Sequence, residues 1–348
     1  MKKHTKRILA TILSAGVIAS SIGSLIPASA AAANVQMIQH ETGTRQLTFG
    51  NVTNRFYNIR TAKAGTVKNP RYFNQYESTY YNNTVKAVNF FSNLGFNYRN
   101  KVLYSNNTTA TTTTVYISYY GLDTTSTGPN PLAGDVVSEL GLITAGSVNQ
   151  SVMHDFVYAP DVIAHEYVHL MTQQLKDWNR VVRTSSTEAG AIVEAYSDIL
   201  GELTETNPDW RMGGNLFVNT NQTNCLRDLK NPRSSKVYNY GSRNYYVNYS
   251  DFKRANFTQF DNNHAYEGST VLSHAAYLMY TAGINKDLLA RFWYDSISLF
   301  SGDMTMPNVR KAVIAAVNKY CDDTNASARG RAALLERVTY GFNQVGLY

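Results

Sequence analysis

Cysteine is nearly absent: Cys225 and Cys321 are the only two in 348 residues. So few, so far apart, allow one disulfide at most, and the alternative is a pair of small buried side chains. Neither neighbours a histidine pair, which argues against thiolate ligation. Surplus charge is scarce as well. Four basic residues, Lys2, Lys3, Lys6 and Arg7, lie in the first thirty positions, and without them the formal charge of +7 falls to +3. Binding to nucleic acid is therefore not implied. Long apolar runs are missing apart from the one between Ile8 and Ile26. That run follows the basic cluster and precedes Ala28, Ser29 and Ala30, the order of a cleavable export signal over residues 1–30. With no second candidate span, the expected product is secreted, soluble and free of stable membrane insertion.

The rest of the chain changes character near its middle. Between Asn34 and Val152 it is rich in Thr, Tyr, Asn and Val, with alternation in "TTTTVYISYYG" and turn-forming "GNVTN", "SNN" and "STGPNP". This predicts mainly sheet with one helix around "NNTVKAVNFFSNLGF". From Pro160 the apolar spacing becomes helical in "DVIAHEYVHLMTQQL", "EAGAIVEAYSDILGEL", "GSTVLSHAAYLMYTAG", "NKDLLARFWYDSISLF" and "MPNVRKAVIAAVNKY". The expectation is an α+β chain in two lobes: a β-rich lobe over 31–175 ending in the helix of "VIAHEYVHLM", and a mainly helical lobe over 176–348. No internal repeat is evident.

In "VIAHEYVHLM" His165 and His169 stand four positions apart, nearly on one helix face, with Glu166 directly after the first. Two imidazoles at this spacing suit zinc if a third ligand exists. In "EAGAIVEAYSDILGEL" Glu194 lies on or beside the stripe of Ile192, Val193, Ala195, Ile199 and Leu200. A buried unpaired carboxylate is costly, whereas one that ligates zinc is satisfied. Asp198, one turn on, is placed to accept the N–H of a ligating histidine. Glu188, at the helix start, needs no chemistry to explain it.

These residues resemble the thermolysin-like (M4, neutral protease) family of zinc metallopeptidases, whose second helix "EAGAIVEAYSDILG" follows almost letter for letter. The likeness continues through "NPDWRMGG", "LRDLKNP", "AAYLMYTAGI" and "FNQVG", and is weak before residue 155. It implies a two-lobed fold with the zinc site between a β-rich and a helical lobe. It further implies zinc on His165, His169 and Glu194, Asp198 as support, Glu166 as general base and Arg227 on the substrate carbonyl. The implied activity is hydrolysis of peptide bonds in a peptide or protein substrate, and the expected working unit is a monomer.

The chain also departs from the family pattern. Counted back from "AAYL", the position of the family's oxyanion-stabilising histidine falls on Tyr266 and that of its orienting acid on Asp261, with His264, two residues earlier, as the other candidate donor. The family's Asn-Ala-x-Trp cleft strand is missing, with Asn149 a distant substitute. Five extra residues between His169 and Glu194 displace a tyrosine that assists the arginine, and Tyr167 does not replace it. Asp161, Glu205 and Asp209 resemble calcium ligands, but Arg211 and Gly214 stand where further acids are expected, which leaves a weakened site for one Ca2+ at most. The resemblance implies a long propeptide, and with an export signal ending at Ala30 the expectation is a chain without room for one. Two readings stay open: a secreted zinc endopeptidase with an altered cleft, and a catalytically weak zinc-containing protein that binds a peptide or surface partner.

Overall fold

The computed structural model describes residues 35–37, 69–103, 109–112, 115–120, 142–146, 154–178, 186–214, 216, 225–234, 245–255 and 262–348. Much of the expected β-rich lobe, the export signal, Asn149 and Asp261 lie outside these residues. Within them, strands β1 (Val35–Met37), β4 (Val115–Tyr120) and β5 (Leu142–Gly146) form a parallel sheet in the order β1-β4-β5, and β2 (Asn100–Leu103) pairs antiparallel with β3 (Thr109–Thr112).

Helix α1 (Gln75–Asn93) begins seven residues before the apolar spacing predicts. Its start is set by a capping box: Asn74 accepts from the backbone of Glu77, and the Glu77 carboxylate accepts from the backbone N–H of Asn74. Tyr80, Thr84, Ala87 and Phe91 line its buried face, which packs on β1, β4 and α2. Buried Asn83 donates to the carbonyl of Val157 at 2.7 Å.

Helix α2 (Pro160–Lys176) carries "HEYVH". Proline at its first turn needs no donor there, and it ends where Asp177 turns left-handed at φ 55°. Helix α3 (Thr187–Glu202), capped by Ser186, is buried almost all round, as befits a helix wedged between α2 and α5 (Asn262–Thr281). Gly201 permits the closest approach of α2 to α3, since a Cβ there would stand 2.7 Å from the Asp161 carbonyl oxygen and 3.0 Å from the His165 nitrogen. That contact seats the "HEYVH" helix against the acidic face of α3.

The remaining pieces are β6 (Arg211–Met212), which pairs antiparallel with β7 (Arg227–Asp228), and α4 (Tyr249–Arg254), α6 (Lys286–Leu299), α7 (Met306–Asp323) and α8 (Ala328–Gln344). Two long-range ties stand out. The buried Glu188 carboxylate accepts from Tyr249 Oη, Lys253 Nζ and the backbone N–H of Met306, joining α3, α4 and α7. Arg291 on α6 donates to the carbonyl of Leu94, just past α1, at 2.6 Å. Cys225 and Cys321 are separate, buried and free, so the disulfide is not formed and both serve as small interior side chains.

Candidate metal centre

The histidines lie one turn apart on α2 and meet α3 across the Gly201 contact. His165 Nε2 and His169 Nε2 are 3.1 Å apart. Glu194 Oε2 lies 3.3 Å from His165 Nε2, and Oε1 lies 3.7 Å from His169 Nε2. Tetrahedral bonds of about 2.0–2.1 Å put neighbouring ligand atoms roughly 3.3 Å apart. The three side chains therefore converge at the spacing a small cation needs, and they form one of two groups among the described residues able to hold a metal. Glu194 Oε2 is also shielded from solvent, with the His165 ring nitrogen beside it. A cation among the three groups would satisfy that buried oxygen without a proton on the ring.

Behind the histidines, His165 Nδ1 donates to Asp198 Oδ1 at 2.9 Å. Arg227 adds a bidentate grip on the same carboxylate through Nε at 2.7 Å and Nη2 at 2.6 Å. Burial alone would raise the pKa of Asp198; the Arg227 and His165 contacts outweigh it and hold the carboxyl down to about 2. Arg227 is thus a buried side chain fixed on α3, not a surface arginine in a polar loop.

The two oxyanion candidates prove to lie on a helix, because α5 starts at Asn262, six residues before the apolar spacing predicts. Tyr266 sits in its first turns with its ring under the Arg227 guanidinium, 5.1 Å from centroid to Cζ. The Glu194 charge, burial and the Glu166 charge raise the pKa of the phenol despite Arg227, so the hydroxyl stays a donor at any ordinary pH. His264, its side chain 39% exposed, is directed along the helix, with Nε2 3.8 Å from Glu267 Oε2. Glu166 is half-buried on α2. Tyr167 belongs to the core, against the rings of Phe91 and Phe96.

The second group able to hold a metal is Glu202, Glu205 and Asp209. Asp161 faces it, accepting from the Gly213 N–H at 2.5 Å and bearing electrostatically on Glu202 and Glu205. Glu202, which its sequence context does not single out, closes the same apolar helix one turn after Asp198. One of its oxygens accepts from the Trp210 N–H, while Oε2 is buried and accepts nothing among the described residues. Trp210 itself is held at φ 59°, a conformation that a bulky residue keeps only when its surroundings enforce it. Lys286 Nζ donates to the carbonyl of Glu205 at 2.9 Å, and a Cβ on Gly214 would stand 3.1 Å from Asp209 Oδ2.

The thermolysin metallopeptidase alpha-helical domain matches residues 184–338. Bacillolysin of Bacillus caldolyticus and thermolysin of Alicyclobacillus acidocaldarius subsp. acidocaldarius are each 27% identical over 202 residues, covering 54% of this chain and 33% of the relative. Bacillolysin of Bacillus cereus is 30% identical over 175 residues, 46% of this chain and 28% of its own. The chain thus spans about a third of the length of the curated relatives it matches. Among solved structures, the precursor of protealysin, a metalloproteinase from Serratia proteamaculans, superimposes with a TM-score of 0.59 at 17% identity, over 91% of this chain and 88% of that one. At that identity the likeness establishes a thermolysin-like fold and no more. Helical domain, sequence relatives and fold agree, and together they support a divergent member of the thermolysin-like (M4) family of zinc metallopeptidases.

Proposed function

We propose that the chain is a secreted, zinc-dependent endopeptidase, with His165, His169 and Glu194 as the metal's ligands and a peptide or protein as its substrate. The observation that carries this reading is the meeting of two imidazole nitrogens and a carboxylate, shielded from solvent, at 3.1 to 3.7 Å. Zinc held by these three side chains would lower the pKa of a bound water to about 7 and polarise a carbonyl. A Glu166 carboxylate oxygen takes the proton of the attacking water and passes it to the leaving amine as the new C–O bond forms and the C–N bond breaks. Asp198 fixes the tautomer of His165. Arg227 has donors beyond the two that Asp198 engages, and with Tyr266 Oη it stabilises the oxygen on which negative charge develops. The division into an export signal over 1–30 and lobes over 31–175 and 176–348 belongs to the same reading. Elemental analysis of the purified chain should find about one zinc per molecule, and the zinc-loaded chain should cleave an unfolded protein. Lack of zinc overturns the reading at its base.

Tyr266→Phe should lower kcat by about 10²- to 10³-fold with little change in KM, because an oxyanion donor acts mainly in the transition state. His264→Ala should be mild. The reverse pattern in steady-state kinetics would transfer the role to His264.

Glu202, Glu205, Asp209 and Asp161 are assigned to one calcium ion, with backbone carbonyls completing its six or more oxygen ligands. Burial, aided by Asp161 and Asp209 and opposed by Lys286, pushes Glu205 up to about 8, and burial pushes Asp161 up to about 6. Carboxyls raised in this way contribute stability that is complete below their unfolded pKa of about 4 and is lost as pH rises through 6 to 8. In a chelator that spares zinc, Tm should therefore fall between pH 5 and pH 8.5. Calcium at ten times its Kd should restore about 1.4 kcal/mol, a few degrees, at pH 8.5 and little at pH 5. Equal calcium shifts at both pH values, or none at pH 8.5, would sink the assignment.

A further inference from the structure

We propose that Ser197 is the positioning residue of His169, so that the two histidines are supported unequally: His165 by the carboxylate of Asp198 and His169 by a neutral hydroxyl. The inference rests on the metal reading above. A histidine that offers Nε2 to a cation must carry its proton on Nδ1, and it needs an acceptor there to hold the ring. For His169 the group opposite Nδ1 is Ser197 Oγ, at 3.4 Å. Ser197 is completely buried, and its hydroxyl has one hydrogen to give. That hydrogen goes to the carbonyl of Val193, one turn back on α3, at 3.0 Å. The lone pairs of Oγ are left for the ring, so the contact is attractive only when Nδ1–H of His169 donates.

Counting along α3 makes the economy of the arrangement plain. Glu194 supplies a ligand, Ser197 three residues on faces His169, and Asp198 four residues on faces His165. One turn of one helix thus carries a metal donor and the supports of both histidines. An anion raises the basicity of its imidazole more than a neutral hydroxyl does, so His169 is the weaker arm of the site and depends more on ring orientation than on charge.

The test is the zinc dissociation constant of the full chain, measured by competition with a chromophoric chelator, beside the Tm of the zinc-free protein. Ser197→Ala should weaken zinc about 10- to 100-fold, the range typical of a lost outer partner, with the zinc-free Tm unchanged. Ser197→Thr keeps the hydroxyl and should recover most of the affinity. Ser197→Cys keeps the volume but accepts poorly, so it should behave as alanine does, and it serves if threonine prevents folding. Wild-type affinity in the alanine and cysteine variants overturns the proposal, as does a loss of zinc matched by an equal fall in zinc-free Tm, which marks a packing role. A wild-type chain that binds no zinc overturns the metal reading itself, a result distinct from either.

Discussion

Glu166→Gln is expected to leave zinc content and Tm unchanged while lowering amide hydrolysis by about 10²- to 10⁴-fold, the usual share of a general base. Glutamine keeps the size of the side chain and its ability to hydrogen-bond, but it cannot take a proton from water. Glu166 is not one of the three side chains that converge on the candidate metal position, so metal uptake should not depend on it. Its charge does reach the neighbourhood of the reaction, since together with Glu194 it raises the pKa of Tyr266. Full hydrolysis by the glutamine variant would remove Glu166 as the base. A zinc-loaded wild-type chain that cleaves nothing would favour the second reading, a binding protein that has kept the metal and lost the chemistry.

Glu194→Gln should cost more. An amide oxygen is a far weaker ligand than a carboxylate, and the loss of a direct ligand should exceed the 100-fold that marks the upper range for outer partners. Both metal and activity are expected to disappear, as read by elemental analysis and by the same hydrolysis assay. Retained zinc would remove Glu194 from the ligand set. Glu188, the other acid near the start of that helix, is no substitute, because Tyr249, Lys253 and the Met306 N–H already occupy its carboxylate.

Where one helix carried both the apolar stripe and the chemistry, the sequence was readable. The extents of α2 and α3 agree with their apolar spacing to within a residue, because apolar residues recur in every turn of a buried helix. Helix starts were missed where polar residues open the helix: Asn74 and Glu77 begin α1, and Asn262 begins α5, both ahead of the first apolar repeat. The second miss reaches the site, since it leaves His264 and Tyr266 ahead of the helix that carries them. Glu202 is inconspicuous because it is the last residue of its helix, past the apolar stripe that singles out Glu194. Ser197 was unreadable for another reason: a serine on a buried helix usually bonds back to its own backbone, and only the approach of α2 gives its lone pairs a second use.

The tie from Arg291 to the carbonyl of Leu94 joins residues 197 positions apart. Loop-closure entropy rises only with the logarithm of length, about 0.6 kcal/mol per doubling, so such a link is compatible with a stable product. Its effect falls on rate, because contacts distant in sequence slow the search for the native topology. Helix α2 is packed between α1 and α3, so its histidines reach final positions only after distant parts of the chain have met. In a refolding experiment the helical signal should therefore return before zinc uptake, and metal capture would time the last step of assembly rather than the first turn of a helix.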